Sequence, residues 1–577
     1  MKNKYIYIVS FALLYYAPIW AQDEIDRTVT VERDYQPTIE NSDKISIQPS
    51  VSEPAGTPAS VNYSTYSSPM KDVESNSQIP LDYTRTSFSQ PNPMHGYLRA
   101  GVGHSATLFN FNYSIAERKN TQFNIGVHHL GQWGRKTMAT SSAGFDFAKA
   151  FQQAEVFFGV DAQNIFFTRY GRYFTYTDSV KMTGDFSTLG LNHYKDFQAS
   201  DKQSQWEVLT KVGVRSRQGE PFQYLVQTGY EAFIMDANNI EHIINTKAHL
   251  GWQGTKHAAG GNILVQNHLY SADSATIAGM NPENFYTSLD STDYHAIKVE
   301  PYYAYTSKRF FIHVGVNLDF CIGKGRLFLP SPNVYFEAKL TPDWLALYGG
   351  ATGNYATSSV REHFGFLRYL HPENEIATRK NRTYTPINAQ LGFKIRPQNN
   401  LLLDIYAAYN YSMYDVFYRP DSNGYFSLIS NAHQHWTIGA KFNYHYQDIV
   451  NISLNGFYNI WKMSDDTYYS IGLAKGNILD RPGWGVNFRV DAKIDSKWSL
   501  YSDNNFSGGH YALQDAAATN VVKLRPVIDL NLGVQYNINK WLSAFFQLNN
   551  FINWKTDVYY SYQSQGINFL TGVAYRF

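Results

Sequence analysis

The sequence predicts an all-β protein: one large transmembrane antiparallel β-barrel of about 22–24 strands, preceded by a short extended N-terminal periplasmic segment. Three observations predict it. Apolar and polar residues alternate over long windows. The connections between those windows alternate between short and long. A tryptophan follows directly on three of the short connections.

The alternation is cleanest in the C-terminal half. Over 484–494, Trp484, Val486, Phe488, Val490, Ala492 and Ile494 alternate with Gly485, Asn487, Arg489, Asp491 and Lys493. Over 436–446, Trp436, Ile438, Ala440 and Phe442 alternate with Thr437, Gly439, Lys441 and Asn443. Over 528–536, Ile528, Leu530, Leu532 and Val534 alternate with Asp529, Asn531, Gly533 and Gln535. A period of two places each set on its own face of a strand. A soluble sheet with one wet face gives the same alternation. Length separates the two, because these windows run about 10–13 residues where soluble strands run about 5–6 and a tilted membrane strand needs about 9–11.

Short turns are expected at Thr341-Pro342-Asp343, 396–400, Tyr446-Gln447-Asp448, Asp495-Ser496-Lys497 and 537–540. Long links are expected at 355–383, 413–432, 463–483 and 508–524. Short periplasmic turns and long outer loops are the barrel pattern. Trp344, Trp498 and Trp541 each follow a short turn, which places indole rings at one membrane interface. The composition agrees: aromatic residues are 16% of the chain, enough to furnish girdles, and charged residues only 17%. Mean hydropathy is −0.38, and no apolar run of 18 residues follows the leader, so spanning helices are excluded. A net charge of +1 gives no footprint for nucleic acid. The strand candidates between 95 and 577 number about 23; with both termini periplasmic the count is even. Between 150 and 258 the turn and loop phase is lost.

The domain order follows. Residues 1–21 read as a signal peptide: Lys2 and Lys4, an apolar stretch from Tyr5 to Ala17, and a cut after Ala21. Residues 22–95 are a Pro/Ser-rich periplasmic tether, punctuated by eight prolines from Pro37 to Pro93 and unable to build a core. Residues 96–577 form the barrel. The outer membrane is the expected location, its lipid the first partner.

Chemistry has little to rest on. Cys321 is the one cysteine, so no intrachain disulfide and no cysteine zinc site can form. His433 and His435 share a face at i, i+2 and could chelate a metal, but no acidic residue or third imidazole stands near them in sequence, and polar residues at the rim account for the pair far better. Gly323-Lys324-Gly325 lacks the remainder of a phosphate loop and reads as a turn. No catalytic residue, cofactor or metal site is assigned. Lys441, Arg489, Asp491, Lys493 and Asp529 fall on the lumen face. They suit either a wet channel or a wall whose charges pair across strands.

The last strand places Phe569, Val573, Tyr575 and Phe577 on one face. This resembles the C-terminal signal read by the barrel assembly machinery; a last strand ending at the interface explains it otherwise. Asn549-Asn550-Phe551-Ile552-Asn553, Tyr559-Tyr560 and Gly566-Ile567-Asn568-Phe569 resemble the closing hairpin of TonB-dependent receptors. Leu370-His371-Pro372-Glu373-Asn374, leading through Thr383-Tyr384-Thr385-Pro386 into a strand, is similar to barrels of that superfamily. The resemblance covers roughly 340–577 and implies a porin-like or receptor-like conduit for solute transport across the outer membrane of a Gram-negative cell. Upstream it departs, since 22–95 is too short and irregular for the family's plug domain. Thr28, Val29, Thr30 and Val31 resemble a TonB box, and are otherwise an ordinary extended segment. The resemblance implies TonB or an envelope lipoprotein as partner. The alternative function is a structural or assembly barrel acting with other envelope proteins.

Overall fold

The computed structural model describes residues 96–577 except 119, 135, 172–201, 218–220, 236–239, 272–292, 342–343, 357–358, 371–381, 399, 421–424, 448, 467–470 and 515–519. The leader over 1–21, the tether over 22–95 and Thr28–Val31 lie outside the described residues.

Strands β1 to β9 are Gly96–Gly103, Ala106–Arg118, Thr121–Gln132, Met138–Ala150, Ala154–Thr168, Lys202–Ser216, Phe222–Met235, Ile240–Gln253 and His257–Ser271. Strands β10 to β15 are Tyr294–Thr306, Phe310–Ile322, Phe328–Lys339, Leu345–Tyr355, Tyr384–Gln398 and Leu401–Pro420. Strands β16 to β19 are Phe426–Tyr446, Val450–Met463, Trp484–Lys493 and Trp498–Gly508. Strands β22, β23 and β26 are Val527–Asn537, Leu542–Asn549 and Asn568–Arg576. Two small hairpins lie within connections: β20 (Tyr511–Leu513) with β21 (Val521–Lys523), and β24 (Asp557–Tyr559) with β25 (Tyr562–Gln563). One helix, α1 (Val360–Phe366), follows β13.

The large strands form one 22-stranded antiparallel sheet in chain order. It closes through β1 and β26, from Tyr97 opposite Arg576 to Gly103 opposite Leu570. Closure matters because every N–H and C=O in the wall then has a neighbour, the condition for strands to stand in hydrocarbon. The strand beginning at Gly96 and the one ending at Phe577 share one end of the barrel, joined by Gly96 N to Phe577 O at 2.7 Å. The short turns at 151–153, 254–256, 307–309, 447–449 and 494–497 lie at that same end. The opposite end, the loop end, carries the connections at 356–383, 464–483, 509–526 and 550–567.

The outer face is apolar and banded. Trp344, Trp498 and Trp541 are 48%, 42% and 42% exposed and ring the turn end, with Phe222, Trp252 and Phe310. Trp206, Trp436 and Trp484 stand outward toward the loop end. From Trp436 to Tyr446 along β16 is about 33 Å of strand at about 3.3 Å per residue. Tilted by about 40°, it spans roughly 25 Å, the height of an apolar membrane band.

Two sequence expectations change. The stretch 413–432 is mostly not loop: β15 and β16 continue through it, paired from Asp415–Asn431 to Pro420–Phe426. A bulge between Ser412 and Asp415, with Tyr414 at φ 56°, breaks the alternation there. Between 150 and 258, β7 ends at Met235 and β8 begins at Ile240, so only four residues join two strands where the alternation calls for a long link. Length alone therefore loses the phase.

Inside, large rings lie over glycines on neighbouring strands. A Cβ on Gly439 would stand 2.4 Å from the Tyr406 ring, and one on Gly533 2.0 Å from Tyr501. Glycine at these two positions lets the wall carry inward aromatics without pushing strands apart.

Candidate functional site

The inward wall below the loops is polar, with charges of both signs in contact. Arg489 on β18 bonds Asp491 at 2.8 Å and Asp503 on β19 at 3.4 Å. Lys298 meets Glu300 at 2.6 Å, Lys394 meets Glu337 at 2.7 Å and Lys211 meets Asp146 at 2.7 Å. Lys441 lies opposite Asp404 in the ladder, with its ammonium 5.9 Å from the Tyr406 ring. Asp529 accepts from Asn531 Nδ2 at 3.0 Å. Lys493, at the turn end of β18, stands on the same face as Arg489 and Asp491 and is exposed. A cavity of about 580 Å³ lies against β1 to β6, lined by Asn112, Asn124, His128, Asp146, Asp161 and Lys211.

The loop end is different: folded connections pack across it in two apolar clusters. In the first, Val360, Phe364, Leu367, Tyr369 and Leu370 bury against Met138 of β4, Phe167 of β5, and Phe233 and Met235 of β7. Tyr562, from the connection 550–567, stacks on Tyr369 with ring centroids 3.9 Å apart. Lys136 donates to the carbonyls of Gln563 and Ser564, both at 2.7 Å, tying that connection to the turn before β4. In the second, Ile471, Leu473, Ile478 and Leu479 pack on Phe417, Trp461 and Met463.

Polar contacts pin both clusters. Glu241 on β8 is 1% exposed and accepts from Ser359 Oγ at 2.9 Å, Arg361 N at 3.0 Å and Tyr270 Oη at 2.9 Å. Arg361 Nη1 reaches Glu207 of β6 at 3.0 Å, and Arg361 Nε pairs with Glu231 of β7. Asp480, in the connection 464–483, accepts from Tyr418 N at 2.8 Å. Burial pushes the Asp480 carboxyl up to about 7, against the Tyr418 hydrogen bond and the nearby Arg481 charge.

His433 and His435 both face inward and are buried, on the loop side of Trp436. His433 Nε2 lies 2.8 Å from Asp415 Oδ2, which also takes Arg481 Nη2 at 3.1 Å. The acidic neighbour that sequence spacing did not show is thus brought from β15 across the bulge. His435 packs on Trp461 at 3.9 Å. Among the described residues no three His, Cys, Asp or Glu side chains gather as a metal site. Cys321 is buried, its thiol directed at the Lys324 carbonyl at 2.8 Å, in a turn where Gly323 and Gly325 take φ of 96° and 82°.

On the last strand, Phe569, Val573 and Tyr575 face outward and are exposed. Phe577 stacks on Tyr575 at 5.6 Å and on Tyr113 at 5.8 Å. Sequence reasoning missed Glu241, Arg361 and Asp480. Their partners are far away along the chain, and nothing local marks them.

No family model matches the chain, and no curated protein does. Solved structures do. The siderophore receptor PirA from Acinetobacter baumannii matches at a TM-score of 0.62 and 10% identity, over 85% of this chain and 81% of that one. The ferric enterobactin receptor PfeA, in complex with BCV-L6, matches at 0.63 and 11%, over 85% and 82%. FpvA of P. aeruginosa, bound to heterologous pyoverdines, matches at 0.58 and 10%, over 85% and 72%. The chain has the fold of these receptor barrels. At such identity the likeness is one of architecture, and it extends the resemblance read in 340–577 to the whole closed barrel.

Proposed function

We propose that the chain is an outer-membrane, TonB-dependent-receptor-like conduit that admits a solute through a barrel whose outer mouth is covered by its own loops. One observation carries this: a 22-stranded wall, too wide for side chains to fill, is polar inside and roofed at one end by packed connections. The likeness to siderophore receptors supports the transport reading. Orientation follows the barrel rule, with both termini and the short turns periplasmic. The mixed, paired lumen charges favour neither anions nor cations strongly. Outer-membrane lipid and the barrel assembly machinery are the partners the architecture calls for. TonB or a lipoprotein would engage through the N-terminal segment.

The roofed mouth also supports a second reading, a structural or assembly barrel working with other envelope proteins. Liposome swelling with neutral sugars of increasing size separates the two. A size-limited influx that rises when the roof is loosened supports the conduit. No influx at any size, with one partner co-purifying in fixed stoichiometry from native membranes, supports the structural barrel.

A further inference from the structure

We propose that residues 359–370 form a strap that holds the mouth shut, and that Arg361 is its lock on the opposite wall. The strap leaves β13 and returns to β14, yet it reaches across to β4 to β8, and packs besides on Val416 and Tyr418 of β15 and Phe426 of β16. Its feet are clamped together: Ala356 N bonds Thr383 O at 2.9 Å, and Arg382 donates to the carbonyls of Tyr355 and Ala356, each at 2.8 Å. Below this clamp the ladder between β13 and β14 runs from Tyr355–Tyr384 to Leu345–Ile395 with one irregularity between Thr352 and Asn354. Lifting the strap therefore leaves the β13–β14 ladder in place and breaks one backbone bond to the wall, Phe426 N of β16 to Tyr369 O at 2.9 Å.

Besides that bond and the Tyr559 hydroxyl on the Phe366 carbonyl, what holds it down is of two kinds. One is apolar, the burial of Phe364, Leu367, Tyr369 and Leu370. The other is a charge lock. Glu207, Glu231 and Glu241 come from three adjacent strands and face one guanidinium, one backbone N–H and one hydroxyl of the strap. Glu231 and Glu241 are nearly inaccessible, and leaving a buried carboxylate without its cation is far costlier than the pair is favourable. The lock is thus all-or-none: the strap stays seated until the whole cluster is exchanged for water or for a competing ligand. Phe366 of the strap remains 46% exposed. The proposal takes its purpose from the conduit reading and its geometry from the contacts alone.

The test is thiol accessibility in proteoliposomes. Met235→Cys, placed beneath the strap in a Cys321→Ser background, reports the gap between strap and wall. With Arg361 present, labelling by a membrane-impermeant maleimide is expected to be slow. In Arg361→Ala it should accelerate at least ten-fold, with Arg361→Lys between the two. Should Arg361→Ala fail to yield heat-modifiable barrel, Glu207→Gln, which removes the most accessible partner, is expected to give a smaller acceleration. Unchanged labelling in a properly assembled Arg361→Ala or Glu207→Gln barrel overturns the lock. Faster labelling without any solute influx upholds the strap and overturns the conduit reading, so the two fail separately.

Discussion

Ser359 Oγ donates to Glu241 Oε2 at 2.9 Å across 118 residues of chain. This bond joins the start of α1 to the inner wall at β8, and Glu241 also takes Arg361 N and Tyr270 Oη. Glu241→Ala leaves those donors and the buried His268 without their acceptor. We expect a loss of roughly 2–3 kcal/mol confined to the loop end. Limited proteolysis should cut the 356–383 connection faster, while the heat-modifiable barrel persists. Coincident loss of both would show that Glu241 supports the whole wall.

Asp480 gives the loop end a pH dependence. Its carboxyl is raised to about 7 in the fold, against an ordinary value of 3.8, so the folded state favours the proton. Stability from this group is full below about pH 4 and falls by about 1.4 kcal/mol per unit until pH 7, roughly 4 kcal/mol in all. Above that both states are ionised and the decline stops. Exchange protection of the Tyr418 amide, which Asp480 accepts, should fall across this window. Asp480→Asn keeps an acceptor and should flatten the dependence; an unchanged slope would remove Asp480 as its source.

The lumen charges predict selectivity. Arg489 stands between Asp491 and Asp503, and Arg489→Gln leaves two carboxylates with less positive charge near them. In a barrel with the strap released, the K⁺ over Cl⁻ permeability ratio should rise about two-fold or more. The reversal potential under a salt gradient reads this directly. No shift would mean that these residues only line the wall.

The closing strand predicts an assembly defect. Phe577 stacks on Tyr575 and Tyr113 at the seam where β26 meets β1. A carboxylate near the interface costs about 1 kcal/mol, too little to open a closed sheet. Phe577→Asp should therefore lower the heat-modifiable fraction in outer membranes by impairing insertion, with unfolded material gathering in the periplasm. Insertion at the wild-type level would make the ring an interface anchor and nothing more.

Much of the barrel was legible because its physics is local. Trp484 to Ile494 alternate in and out regardless of what lies elsewhere, and Trp498 marks an interface by its own chemistry. The reading failed where a third party intervenes. Phe417 and Val416 are both buried because the connection 464–483 and the strap cover the wall beyond the membrane, so alternation vanishes and 413–432 reads as loop. Glu241, Arg361 and Asp480 take their roles from partners that only closure of the barrel brings near. His433 shows the same limit: its carboxylate neighbour, Asp415, is placed by a bulge that no period reveals.

The central claim is a conduit closed by its own loops, and planar-bilayer conductance tests it most directly. The account predicts that the wild-type barrel is silent or nearly so. Arg361→Ala/Phe364→Ala/Leu367→Ala, which removes the lock and two apolar anchors of the strap, should open a stable conductance that admits ions of both signs. A triple variant that inserts as heat-modifiable barrel and remains as silent as wild type would contradict the conduit.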